Sequence, residues 1–175
     1  DRGGRNMGGF AGAVVFLGAI VWSLFQLWYA SPLPFALNFG IFNDTEARAL
    51  HLGIAMFLGY LAYPARKSSP RDSMPVIDWL LAITAGFCGA YLFLFYEALA
   101  SRPGIPNTMD ITVASIGLVL LLEVTRRALG APMAVLGAVF IAYVFLGPWL
   151  PDALAHRGAS IERLVSHMWL TTEGV

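Results

Sequence analysis

Apolar residues along this chain fall into five long runs, at about Gly9–Tyr29, Ala47–Ala65, Val76–Ala100, Asp110–Leu129 and Ala131–Leu150. Short polar joints separate them. A hydrocarbon core about 30 Å thick takes about 20 helical residues, and the runs have that length, the second being a little shorter. Strings such as AGAVVFLGAIVWSLF and IGLVLLL lack the period-two alternation of an outer-membrane strand. The pattern predicts an all-α integral membrane protein: a five-helix transmembrane bundle followed by a C-terminal amphipathic surface helix.

The joints carry helix stops and starts. Pro32 and Pro34 end the first helix, because proline lacks a donor and restricts its predecessor. The 31–46 stretch is then a partly apolar loop, and Asp44, Thr45 and Glu46 open the second helix, where acids suit the N-terminus. Ser69, Pro70, Asp72 and Pro75 link the second and third helices. SRPGIPN at 101–107 is a tight turn, with Asp110 or Thr108 capping the fourth helix. Gly130 and Pro132 separate the fourth and fifth. A hairpin there is more economical than one kinked helix, since forty residues would reach about 60 Å. After Pro148, Trp149 and Pro151 comes a polar joint of His156, Arg157 and Gly158. Ile161, Leu164, Val165, Met168 and Trp169 then recur at helical spacing, an amphipathic helix expected at the membrane surface. This pattern runs to Val175 without a stop signal, so the expectation is a larger protein continuing beyond it.

Composition agrees with this reading. Hydrophobic residues make up 58% of the 175 and charged ones 13%, about half the charge of a soluble domain. A formal net charge of zero gives no long-range field for nucleic acid. Arg2, Arg5, Arg66, Lys67, Arg71, Arg126 and Arg127 fall on one side of a five-span path, seven residues against the four of Arg48, Arg102, Arg157 and Arg163. Basic residues favour the cytoplasm. The N-terminal segment 1–8 is therefore expected inside, the spans within 9–150, and the 151–175 joint and amphipathic helix in the periplasm. The first run is longer than a signal-peptide core and is taken as a mature helix.

Ionisable residues within spans are the candidates for function. Glu123 lies well inside the fourth helix, with Arg126 and Arg127 three and four residues on and on its own face. A mutual ion pair satisfies all three; contact with a partner helix and ion conduction are the alternatives. Glu97, near the outer end of the third run, is either exposed, capping or bonded to a neighbour. Asp78 and Asp110 lie near helix starts and need only the dipole. His51 fits a polar interfacial contact near Arg48. His156 and His167 show no metal-ligand spacing, and neither a phosphate loop nor a nucleophilic set is present, so no catalytic, cofactor-binding or metal role is assigned. Cys88 is the only cysteine, which excludes an internal disulfide, and it reads as a small buried residue. Gly8 with Gly12, and Ala82, Gly86 and Ala90, are four-residue ridges that suit close helix packing. Trp28, Trp79, Trp149 and Trp169 read as interfacial anchors, and the deeper Trp22 as a packing residue.

Longer strings are more specific: HLGIAMFLGYLAYPARK at 51–67, PVIDWLLA at 75–82, YEALASRPGIPNTMDITVASIGLVLLLEVTRRALG at 96–130, and AYVFLGPWLPDALAHRGASIERLVSHMWLTTEGV at 142–175. Over about 48–175 the chain resembles the N-terminal, small-subunit-like part of fused permeases of the tripartite ATP-independent periplasmic (TRAP) transporters. The resemblance implies a membrane scaffold for a large permease region that carries the elevator-like transport domain and the sodium sites. It also implies a periplasmic solute-binding protein of the TAXI class that delivers an organic anion. LTTEG corresponds to the start of the large region. Sodium is thus implied for the parent transporter, and no sodium or substrate residue of the large region is carried over to this chain. Asp78, Glu97, Glu123, Arg126 and Arg127 match the small-region pattern as structural or interface positions.

Two functions of different class follow. One is the scaffold part of a sodium-coupled organic-anion uptake transporter in the bacterial inner membrane. The other is a structural accessory subunit recruited into another multi-subunit membrane complex. An enzyme would need His51, Glu97 and Glu123 to cluster, and the expected topology places His51 and Glu97 on one side and Glu123 on the other.

Overall fold

A computed structural model describes residues 3–66 and 68–171. Arg2, Lys67 and residues 172–175, which include the end of the LTTEG string, lie outside the described residues. Among those described the protein is all-α, with eight α-helices. These are α1 (Gly9–Ala30), α2 (Leu33–Leu37), α3 (Asp44–Ala62), α4 (Val76–Leu94), α5 (Tyr96–Ala100), α6 (Thr108–Ala128), α7 (Ala131–Leu146) and α8 (Ile161–Trp169). Four stretches are long and apolar enough to cross a membrane: Gly9–Ala30, Val76–Leu94, Thr108–Ala128 and Ala131–Trp149. The second apolar run, expected as a fifth span, is helical as α3 but is not among them. Asp44, Glu46, Arg48 and His51 sit in its first two turns and dilute its apolar character.

The chain divides into two compact units, Asp1–Tyr96 and Glu97–Val175. In the first, α3 and α4 form the core. Their backbones approach closely because Gly53, Gly86 and Gly89 meet at the crossing. A β-carbon on Gly89 would lie 2.7 Å from both Cα and N of Gly53, closer than any side chain allows. Of the ridge expected at Ala82, Gly86 and Ala90, Gly86 and Ala90 line this crossing, and Ala82 is fully buried. Met56, Tyr60, Leu61 and Tyr91 complete the core. At the other expected ridge, a β-carbon on Gly8 would meet open space and one on Gly12 the backbone of Met7. Helix α1 lies against α3 through Gly18 on Leu58 and Trp22 on His51, and none of its residues is buried.

Two details of this unit depart from the sequence expectation. The loop after α1 contains α2, whose Pro34 falls in the first turn, where a missing donor costs nothing. Asn38, in the left-handed region at φ 50°, ends it, as asparagine tolerates. The third apolar run is not one helix to Ala100. Phe95 leaves helical geometry (φ −119°, ψ 26°) and ends α4 at Leu94, while its ring packs on Tyr91 at 4.8 Å between centroids. The chain restarts as α5.

In the second unit Asn107 caps α6. Its side chain accepts from the Asp110 N–H and the Asp110 carboxylate accepts from the Asn107 N–H, each at 2.8 Å. Two of the donors left open at the helix start are thereby satisfied. The cap is neither Asp110 nor Thr108; Asp110 serves as the third-position partner. Gly130, at φ 105°, takes a conformation that L side chains rarely adopt, and the chain reverses there so that Gly137 of α7 faces Leu122 of α6. Beyond α7, the His156 ring folds over Gly147, where no β-carbon would fit. Its Nδ1 accepts from the Gly158 N–H at 3.0 Å, so Nε2 carries the proton and donates to the Tyr143 carbonyl at 3.0 Å.

Helix α8 packs on α6, with Leu164, Val165 and Trp169 buried. Sequence reasoning lays this helix along the membrane surface with Trp169 as an interfacial anchor. Trp169 is instead a packing residue seated on Gly117.

Candidate functional site

Three charged junctions order the helix ends. At the first, the N-terminal segment is tied down by Arg5. Its N–H donates to the Ala62 carbonyl at 2.8 Å, and its Nη1 donates to the carbonyls of Tyr60 and Leu61 at 3.3 and 3.1 Å. Its Nη2 pairs with Oδ2 of Asp78. One cation thus meets the carbonyl end of α3 and the carboxylate in the first turn of α4; the cation complements the dipole of α3 and the carboxylate that of α4. The two side chains are 0% and 3% exposed. The dipole explanation for Asp78 was therefore incomplete, because a buried carboxylate needs a specific partner.

At the second junction Arg102 pairs with Asp110 at 3.0 Å, adding to the capping box already described. Asp110 is fully buried.

The third junction brings together Glu123, Arg126 and Arg127. Arg126 donates from Nε and Nη2 to the two Glu123 oxygens, both at 2.7 Å, and Arg127 Nε donates to Oε1 at 2.9 Å. The three- and four-residue spacings place all three on one helix face. Arg127 is only 4% exposed at its side chain, whereas Arg126 is 40% exposed. A shallow cleft of about 340 Å³ opens beside them, between α6 and α7. Val119 and Leu122 form one wall and Ala134 and Ala138 the other, and Glu123 and Arg126 lie toward the turn.

The remaining candidates stand apart from these junctions. His51 accepts at Nδ1 from the indole N–H of Trp22 at 3.1 Å and is also bonded to Gln26. Its partners are on α1, whereas Arg48 pairs with Asp44 at 3.0 Å. Glu97 is exposed in the first turn of α5. Cys88 is buried in α4. Among the described residues no three His, Cys, Asp or Glu side chains gather as a metal-binding group.

Sequence reasoning missed Arg5 and Arg102 as junction residues. Arg5 entered only as a topogenic charge, and no spacing rule connects it to Asp78. The Asn107 cap was legible, since N-T-M-D is a capping-box pattern of the same kind as N-D-T-E at 43–46. Comparison with models of known families, with curated proteins and with solved structures finds no match. The fold and apolar helices define a helical membrane-associated protein suited to a place in a larger complex.

Proposed function

We propose that the chain is the membrane scaffold part of a sodium-coupled TRAP-type transporter for organic anions in the bacterial inner membrane. In this reading α1, α3, α4, α6 and α7 cross the membrane, with the N-terminus cytoplasmic and α8 on the periplasmic side. The moving transport region and a TAXI-class binding protein are supplied outside these 175 residues. The strings quoted above support the family, and one structural observation supports the scaffold role. The buried charged residues Asp78, Asp110 and Arg127 each secure a helix end through a neighbouring charge. Buried ionisable groups in a membrane protein otherwise mark ion or substrate paths.

Proteoliposomes holding this chain with a TRAP large permease region and its binding protein test the reading. Carboxylate uptake should follow an inward sodium gradient and vanish when this chain is omitted; the chain alone should transport nothing. Uptake indifferent to this chain, or transport by the chain alone, rules the scaffold role out. Stable co-purification with a non-transport membrane complex would favour the accessory-subunit alternative.

A further inference from the structure

We infer that the segment from Leu33 to Ile41, between α1 and α3, rests in the boundary between lipid head groups and acyl chains. Only the membrane placement of α1 is needed for this, and nothing of the transporter assignment. From Asn6 to Asn43 the chain carries no charged residue, so the connection is as uncharged as the helix before it. Leu33, Phe35, Leu37, Phe39 and Ile41 are all exposed, Phe35 and Phe39 to 73%. Asn38 is the only polar side chain between Leu33 and Phe42. It is exposed, and at this depth it stays within reach of water-borne reagents.

Helix length sets the depth. The 22 residues of α1 reach about 33 Å, close to the hydrocarbon thickness of about 30 Å, so its last turn meets the boundary. The segment folds back onto that end of α1. The Trp28 indole N–H donates to the Gly40 carbonyl at 3.1 Å, and its ring meets Phe39 edge-on at 6.4 Å between centroids. Phe42 packs on Phe25 at 5.7 Å. Tryptophan at this level is itself a boundary residue. The backbone suits partial burial: the Ala36 N–H donates to the Pro32 carbonyl at 3.0 Å and the Phe39 N–H to the Pro34 carbonyl at 3.1 Å, while Pro32 and Pro34 have no donor to satisfy. Side-chain directions favour lipid over a protein partner. Leu33 and Phe35 stand about 200° apart around α2 at 3.6 residues per turn, on the two flanks of the buried Pro34. A partner resting on one flank leaves the other bare, whereas a fluid apolar medium reaches both. Water on both flanks would leave the five apolar side chains unburied.

The test places a bimane fluorophore on single cysteines, on a Cys88→Ala background, in liposomes whose phosphatidylcholine carries a doxyl quencher either near the head group or near the chain end. Leu33→Cys and Phe35→Cys should both lose more fluorescence to the quencher near the head group, and little to iodide in the water. Val21→Cys, midway along α1 and exposed, should be quenched most from the chain end. Asp72→Cys, exposed in the link between α3 and α4, should be quenched by iodide alone. Circular dichroism confirms that each labelled protein is helical before it is scored, and the exposed Leu37→Cys and Ala36→Cys replace 33 and 35 if either fails. Quenching of 33 or 35 by iodide alone overturns the inference. So does shielding of either from all quenchers, as a protein partner or a second copy would give, or stronger quenching of both from the chain end. Lipid quenching at Val21 without it at 33 and 35 removes the boundary segment alone, and its absence at Val21 removes the membrane placement of α1.

Discussion

The indole of Trp169 occupies the space that a side chain on Gly117 would need; a β-carbon there would lie 2.6 Å from Cε2 of the ring. Gly117 is nine residues into α6, so α8 meets α6 about 14 Å from its start, well below the helix end. Replacing Trp169 by alanine removes the largest buried side chain of α8. The expected cost is about 3 kcal/mol of docking energy, read as faster limited proteolysis between Pro151 and Trp169. Gly117→Val should give the same proteolytic pattern from the other side of the contact, with Trp169 fluorescence shifted to the red. Unchanged cleavage in both variants would show that α8 does not depend on this contact.

The glycine crossing of α3 and α4 predicts a contrast between two equal substitutions. Gly89→Ala places a methyl group against the backbone of Gly53, which cannot rotate away, and should cost about 1–3 kcal/mol. At Gly137 the neighbour is the end of the Leu122 side chain at 3.0 Å, which can move, so Gly137→Ala should be neutral or slightly stabilising. Thermal unfolding in one detergent, followed by circular dichroism, measures both. Equal midpoints would remove the crossing as a source of stability.

How much of this was legible in the sequence differs between elements. The helices α1 and α7 follow from uninterrupted apolar length, and the reversal at Gly130 from a glycine with a proline two residues on. The break at Phe95 was not legible, because no glycine or proline lies between Tyr91 and Ala100. The Glu123–Arg126–Arg127 cluster was readable because helix geometry fixes contacts three and four residues apart. The Arg5–Asp78 and Trp169–Gly117 contacts bridge 73 and 52 positions of sequence. Only tertiary packing brings such residues together.

Arg5 and Asp78 should behave as a unit. Asp78→Asn or Arg5→Gln alone leaves a buried charge without its counterpart and should cost about 3 kcal/mol or more. Replacing both, as Arg5→Gln with Asp78→Asn, should cost less than the sum of the two single changes. The four unfolding midpoints of this double-mutant cycle decide the point, and strict additivity would show that the pair is not coupled.

Glu123 and Arg126 should differ in weight although they touch. Arg126→Gln alters a group at an exposed rim and should change stability by under about 1 kcal/mol. Glu123→Gln also weakens the pairing of Arg127, whose side chain is 4% exposed, and should cost roughly 2 kcal/mol. Chemical denaturation in mixed micelles compares them. A larger loss in Arg126→Gln would reverse the assignment of Arg127 as the buried partner.

The proposed scaffold requires five crossings, and α3, with its charged first turns, is the crossing that composition leaves open. Single cysteines on a Cys88→Ala background test it most directly, at Asn38, Ser69, Gly104, Leu129 and Asp152, probed with a membrane-impermeant thiol reagent. From the periplasmic side, cysteines at 38, 104 and 152 should label, and those at 69 and 129 should label only after the membrane is opened. Labelling of positions 38 and 69 from the same side would mean that α3 does not cross, and the five-span scaffold would be wrong.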